Sequence, residues 1–294
     1  MITIVVLSQS TYNYIDIFLE NKLNHQEVKK ELQMTVGNHL SSLSSSLILS
    51  DDEKTKINTS IETLSSRIDN YFGSIVNDHI QFGSSTRGTI LPRKVDERSD
   101  IDYMIVFDTS NGTYKPQTYL NKLKSFAEEK YSTSVIKPSY PTIVLELQHI
   151  KFELVPAITD GFGYKIPSPS SSWTEWMDTY PNDFNQKLTT ANTNNNSQIR
   201  PLVRLMKYWN VRNSHIFNSY GLEKHIIECY FPGCRVLKDY FYYYWALLSI
   251  NTESQSSKDK LQKGKDTVTK IKRLEDENKL TEAEDELKKF LPSI

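Results

Sequence analysis

A chain of 294 residues with 38% apolar and 24% charged residues, 17 tyrosines and 12 phenylalanines has core material for about two domains and excludes wholesale disorder. A formal net charge of −1 lacks the basic footprint that constitutive binding of duplex nucleic acid requires, while leaving room for a local basic stripe and for small nucleotides. No run approaches the ~18 consecutive apolar residues of a membrane helix, so membrane association is not expected except through a partner. Cysteine occurs only as Cys229 and Cys234, and Met1–Leu7 is apolar but short and lacks a basic flank, so a cytoplasmic location is expected.

In chain order, residues 1–49 form an unassigned N-terminal extension ending in the serine-rich stretch Ser41–Ser46, and Met34 is an alternative start. From Ser50 the pattern sharpens. Ser50 and Glu53 spell a capping box, and Ile57, Ile61, Leu64, Ile68 and Tyr71 recur at helical spacing until Gly73, predicting a long spine helix. A short strand over Ile80–Phe82 then leads into a Gly-Ser turn, with Thr86–Leu91 able to start a helix. A second strand opens at Asp100, a helix covers Tyr114–Lys130, and Pro141–Leu147 and Ile150–Pro156 read as strands joined by a tight turn. Pro167–Ser172 and Thr189–Asn196 are loops by composition, and beyond them the patterning is helical. The expected division is therefore a core over residues 50–160 and a mostly helical domain over 161–294.

Chemistry concentrates at the Gly-Ser turn and the strand after it. Side chains alternate across a strand, so Asp100 and Asp102 project from one face while Ile101 enters the core. Two carboxylates so placed can share a divalent metal, and the turn just upstream offers N–H groups and a hydroxyl to a polyphosphate. In the strand Ile150–Pro156, Phe152 and Leu154 face the core and leave Glu153 on the other side. If that strand lies beside the one carrying Asp100 and Asp102, Glu153 adds a third carboxylate to the same cleft; otherwise it is a solvated glutamate on an exposed sheet face.

In the helix over residues 200–212, Leu202, Leu205, Met206 and Trp209 form a buried stripe, and Arg200, Arg204 and Lys207 share another face. That face is placed to meet a triphosphate, against the plainer reading that it is simply the wet side. Leu222, His225, Ile226 and Cys229 make an apolar stripe on the next helix. His225, Cys229 and Cys234 lack an evident fourth zinc ligand, and the aromatic run Tyr240–Trp245 reads as helix packing.

Together these residues resemble the polymerase-β-like nucleotidyltransferase superfamily, and more closely the bacterial cGAS/DncV-like nucleotidyltransferases. Phe82-Gly83-Ser84 with Thr86-Arg87-Gly88-Thr89 is similar to that family's Gly-Ser motif, and Ser99–Tyr103 to its metal-binding pair. Phe152–Ala157 matches the segment of the third carboxylate, although the residue is Glu153 where aspartate is usual. Arg200–Trp209 resembles the helix whose lysine contacts phosphates, which maps onto Lys207. Phe217–Tyr220 resembles the helix start where a serine touches phosphate and an aromatic residue stacks on a base, which maps onto Ser219 and Tyr220. The interval between the two motifs holds an insert, Arg93–Arg98, longer than in the shortest family versions.

The resemblance implies an α+β fold: a mixed nucleotidyltransferase sheet with a spine helix, packed on a C-terminal helical domain of the OAS/PAP type. It implies two Mg2+ or Mn2+ ions held by Asp100, Asp102 and Glu153, and NTPs bound through Gly83, Ser84, Arg87, Lys207, Ser219 and Tyr220. It also implies a cyclic di- or trinucleotide product acting on a separate effector in anti-phage (CBASS-type) signalling, with room for a regulatory protein. The competing expectations are nucleotide transfer to an RNA end or to a protein, and a catalytically idle nucleotide-binding scaffold.

Overall fold

The computed structural model describes residues 35–139, 141–159, 161, 163–168 and 175–294. Of the N-terminal extension, residues 1–34 lie outside the described residues, as do residues 169–174 of the Pro167–Ser172 loop. Two compact units separate, one spanning Leu43–Tyr244 and one combining the described residues up to Ser42 with Trp245–Ser293. The expected junction at residue 160 falls inside the larger unit.

The serine-rich stretch belongs to helix α1 (Val36–Ser46), because Leu40, Leu43 and Leu47 recur at helical spacing and are buried while serines take the exposed positions. Helix α2 (Asp51–Phe72) is the expected spine helix. Its capping box is formed: the Glu53 N–H donates to Ser50 Oγ at 3.2 Å, and the Ser50 N–H donates to Glu53 Oε2 at 2.9 Å. Gly73 stops it in a positive-φ conformation (φ 54°) that suits glycine best. Ile57, Leu64, Ile68 and Phe72 are buried along one face.

Strands β1 (Val76–Phe82), β2 (Asp100–Phe107), β3 (Val135–Ser139), β4 (Thr142–Glu146) and β5 (Lys151–Thr159) form a sheet in the order β1-β2-β5-β4-β3. The β2–β5 pair is parallel and the others antiparallel, so the sheet is mixed, as expected. Helix α3 (Ser84–Arg87) follows β1, and helix α4 (Pro116–Lys130), opened by Pro116, follows β2. The helical turn expected from Thr86 to Leu91 instead ends at Gly88, whose φ of 69° breaks it.

One sheet face carries the core. Ile101, Tyr103, Ile105 and Phe107 of β2 and Phe152 and Leu154 of β5 pack with the apolar faces of α2 and α4. Each such fully buried side chain stabilises by roughly 1.5–3 kcal/mol. On the opposite face Met104, Val106 and Ala157 form a smaller cluster with Ile80 and Phe82. The same alternation leaves Asp100 and Asp102 at the open end of that second face.

The second half holds β6 (Tyr164–Pro167), which pairs with β5, and β7 (Trp176–Thr179), which pairs with β6. Neither was expected, being four residues long each and too short for a periodic signal. Helices α5 (Pro181–Asn194), α6 (Ile199–Arg212), α7 (Ser219–Glu228) and α8 (Leu237–Leu247) follow. The Thr189–Asn196 stretch is helical through Asn194, contrary to its loop-like composition. Leu188 and Asn192 turn inward, and Asn192 Oδ1 accepts the Arg200 N–H at 3.0 Å at the start of α6. In the smaller unit, α9 (Gln255–Asp276) and α10 (Leu280–Phe290) pack through Leu261, Val268, Ile271 and Leu287. Among the described residues no helix is long and apolar enough to cross a membrane.

Candidate active site

Parallel register sets Asp100 opposite Lys151 and Asp102 opposite Glu153. Residues two apart on neighbouring strands share a face, so three carboxylates and one ammonium form a patch four residues in extent. Lys151 Nζ lies 3.2 Å from Asp100 Oδ2 and 3.4 Å from Glu153 Oε1. Sequence reasoning placed the three carboxylates but not the lysine among them, although its place two residues before Glu153 was the available signal.

Gly83 follows Phe82, the antiparallel partner of Asp102, so the Gly-Ser turn is laid directly on the carboxylates. The approach is so close that a Cβ built on Gly83 would stand 1.7 Å from Asp102 Oδ2, and its φ is 79°. The turn is tied internally by Thr86 Oγ1 donating to the Gly83 carbonyl at 3.0 Å.

A cleft of about 880 Å3 opens here, lined by Gly83, Ser84, Arg87, Asp100 and Asp102 on one side and Lys207, Ser219 and Tyr220 on another. That volume is near the upper end of the ~300–1,000 Å3 typical of small-molecule sites. Of the expected site residues, Glu153 alone is not part of the lining; it stands behind Asp102, held by Lys151. Arg87 lines the cleft but is buried, and its guanidinium is turned onto Glu223, with Nε donating to Oε1 at 2.8 Å. Lys207 Nζ donates to the Thr89 carbonyl at 3.0 Å. An ammonium has three donors, and Lys207 lines the cleft while using one of them on Thr89.

Arg200, Arg204 and Lys207 do share one face of α6, but that face is not wet. Arg200 Nε donates to the Arg87 carbonyl at 2.9 Å, Arg204 Nη1 to the Gly88 carbonyl at 3.0 Å, and Lys207 to Thr89. Three cations thus hold three successive carbonyls of the turn that follows the Gly-Ser step. Burial and the neighbouring Arg200 push Arg204 down to about 10, and burial lowers Lys207, with Glu223 opposing.

Sequence reasoning missed the rest of the lining. Met177, Tyr180 and Phe184 form an apolar stretch of wall, and Phe184 packs on Tyr220 with ring centroids 4.8 Å apart. Asp96 and Arg98, from the insert, and His215 close another part, with His215 Nε2 3.6 Å from Asp96 Oδ1. Ser219 and Tyr220 are held in place because Asn210 pairs with Phe217 through two 2.9 Å hydrogen bonds, and Asn218 caps α7 on the Gly221 N–H.

Burial first, and then Glu153, push Asp100 up to about 6; burial first, and then Asp100 and Glu153, push Asp102 up to about 7. Among the described residues no three His, Cys, Asp or Glu side chains converge as a ready-made metal cage, and Lys151 pairs with both Asp100 and Glu153. The donor set nonetheless fits a hard divalent cation: oxygen ligands only, adjacent in register, with more negative charge than one lysine balances.

These shifts predict a pH dependence of stability. An aspartate whose folded pKa exceeds its unfolded value of 3.8 binds protons in the folded state that it releases on unfolding. Its contribution to stability is therefore fullest below about pH 4 and lost as pH rises through 6 to 7. The metal-free protein should lose several degrees of melting temperature between pH 5 and pH 8, with Mg2+ restoring more at pH 8 than at pH 5. Asp102→Asn should flatten that fall in scanning fluorimetry; parallel profiles for the two proteins would contradict the burial of Asp102 as its cause.

Comparison with known proteins places this architecture. The family model of the second messenger oligonucleotide or dinucleotide synthetase domain matches residues 34–192. A probable cyclic nucleotide synthase of Bacillus cereus is 27% identical over 188 residues, covering 51% of this chain and 54% of that protein. A cyclic AMP-AMP-AMP synthase of Acinetobacter is 26% identical over 136 residues, covering 46% and 38%. The chain thus matches about half the length, or less, of these curated relatives. Among solved structures, Escherichia coli CdnC in complex with a HORMA protein superposes with a TM-score of 0.67 at 13% identity, over 88% of this chain and 98% of that one. The fold is that of the polymerase-β-like nucleotidyltransferases. Within them, the chain belongs to the second messenger oligonucleotide or dinucleotide synthetase family, the bacterial cGAS/DncV-like nucleotidyltransferases.

Proposed function

We propose that this protein condenses NTPs into a cyclic di- or trinucleotide second messenger by phosphoryl transfer. The observation that carries the reading is the face shared by Asp100, Asp102 and Glu153, with Gly83 and Ser84 laid against it. Residues 50–160 supply this catalytic core, and in the second half the stretch from Met177 to Glu223 supplies the rest of the nucleotide site.

Asp100, Asp102 and Glu153 would hold two Mg2+ or Mn2+ ions, which supply Lewis-acid activation of the acceptor hydroxyl and neutralise charge on the donor triphosphate. Ser84 and Lys207 face the position of that triphosphate, and Ser219 meets it from the start of α7. Arg87 adds positive potential from behind the turn rather than a free guanidinium. Tyr220, backed by Phe184, offers an aromatic face to a base. Fixed donors and charges at the phosphates favour the developing charge without reorganising during reaction. A linear intermediate turned around in the cleft would meet the same groups in a second transfer that closes a cyclic dinucleotide, and a cyclic trinucleotide takes one transfer more, pyrophosphate leaving at each.

The E. coli CdnC structures include one with ATP and one with a HORMA protein, which supports NTPs as substrates here and a regulatory protein as a partner. A cytoplasmic location, a separate effector that reads the product and an anti-phage role complete the proposal. Metal-dependent release of pyrophosphate from NTPs tests the transfer step: its appearance only with Mg2+ or Mn2+ is the expected result, and NTPs left intact under both ions would contradict it.

A further inference from the structure

Glu223 is 1% exposed and belongs to none of the motifs that sequence reasoning singled out for chemistry. Its Oε1 accepts from Arg87 Nε at 2.8 Å and from Thr89 Oγ1 at 2.9 Å, and its Oε2 lies 3.4 Å from Arg87 Nη2. Lys207, on α6, is favoured in its charged form by the same carboxylate. The Arg87 guanidinium is also stacked on Phe184, 4.8 Å from the ring centroid. One carboxylate therefore gathers two side chains of the turn after Gly83-Ser84, while α6 holds that turn's backbone.

Glu223's own helix, α7, carries Ser219 and Tyr220 four and three residues earlier, on the face that Glu223 shares. Glu223 also touches the cleft wall, so the distance from the Gly-Ser turn to the Ser219–Tyr220 wall is set through it. We propose that Glu223 is a positioning residue that fixes the span of the nucleotide site by clamping the Gly-Ser turn to α7. This rests on the nucleotide-binding reading above. Charge alone does not explain the arrangement, because the Thr89 hydroxyl is drawn to the same oxygen as Arg87, and two hydrogen bonds to one oxygen define an angle as well as a distance.

The test measures binding of a fluorescent ATP analogue with Mg2+, and separately KM and kcat, at a temperature where each protein is folded. Glu223→Gln should weaken binding at least tenfold and raise KM in step, with kcat at saturation changing less than threefold. The double variant Arg87→Gln/Glu223→Gln removes both halves of the Arg87–Glu223 ion pair, so that neither residue leaves the other as an unpaired buried charge, and should regain melting temperature without regaining affinity. Binding by folded Glu223→Gln within twofold of wild type, or full recovery of affinity in the double variant, would overturn the positioning role. Should Glu223→Gln not fold, Thr89→Val removes the hydroxyl's contact with Glu223 and its longer 3.4 Å contact with the Ser84 carbonyl and keeps the ion pair; it should bind three- to fivefold more weakly, and unchanged binding would again overturn the role. Wild-type protein that binds no nucleotide would instead remove the reading beneath it.

Discussion

Asp102→Asn should abolish product formation, with turnover falling at least about 1,000-fold, or roughly 4 kcal/mol of lost transition-state stabilisation. Asp102 sits at the centre of the site: opposite Glu153 in register, two residues from Asp100 and in contact range of Gly83. Burial first, and then Asp100 and Glu153, push it up to about 7, so a cation beside it would relieve a charge that burial penalises. Asparagine keeps the shape but cannot carry that charge. The variant should fold at least as well as wild type at neutral pH, because a penalised buried charge is gone. Loss of activity with unchanged or raised melting temperature would separate chemistry from stability. Turnover within tenfold of wild type would contradict the assignment of Asp102 as a ligand.

Gly83→Ala is the second large effect. The new methyl would have to occupy space already held by Asp102, with Cγ at 2.6 Å and Oδ2 at 1.7 Å from the ideal Cβ. Either the carboxylate swings away or β1 and β2 part, and both displace a carboxylate proposed to hold metal. The positive φ adds strain of about 1 kcal/mol or more. Activity should fall at least ~100-fold, with a lowered melting temperature. Gly88→Ala is the informative comparison. Its φ is 69°, but nothing lies within 4 Å of its built Cβ, so it should cost about 1 kcal/mol of stability and far less activity than Gly83→Ala. Equal activity losses in both would show that backbone strain, not the collision with Asp102, governs the effect.

The legible parts of the fold were those with a local period. The capping box and apolar spacing of α2, and the alternation that puts Asp100 and Asp102 on one side of β2, are properties of consecutive residues. The register of β2 against β5 required only that Glu153 lie on the face away from Phe152 and Leu154, and the sheet delivers it there. What was not legible depends on distance along the chain or on composition that misleads. Glu223 and Arg87 are 136 residues apart, and no local pattern pairs them. The cationic face of α6 looks from spacing like a wet surface or a phosphate grip, and only the fold reveals three carbonyls aligned beneath it. The serine-rich end of α1 and the Asn-rich end of α5 read as loops because these residues favour turns in isolation, whereas buried leucines and Asn192 decide the matter in the folded chain.

The most direct measurement is to incubate the purified protein with all four NTPs and Mg2+ or Mn2+, treat with phosphatase, and identify what survives by mass spectrometry. The account predicts a phosphatase-resistant cyclic di- or trinucleotide that is absent from the Asp102→Asn reaction. Linear products alone, or the same cyclic product from Asp102→Asn at the wild-type rate, would contradict it.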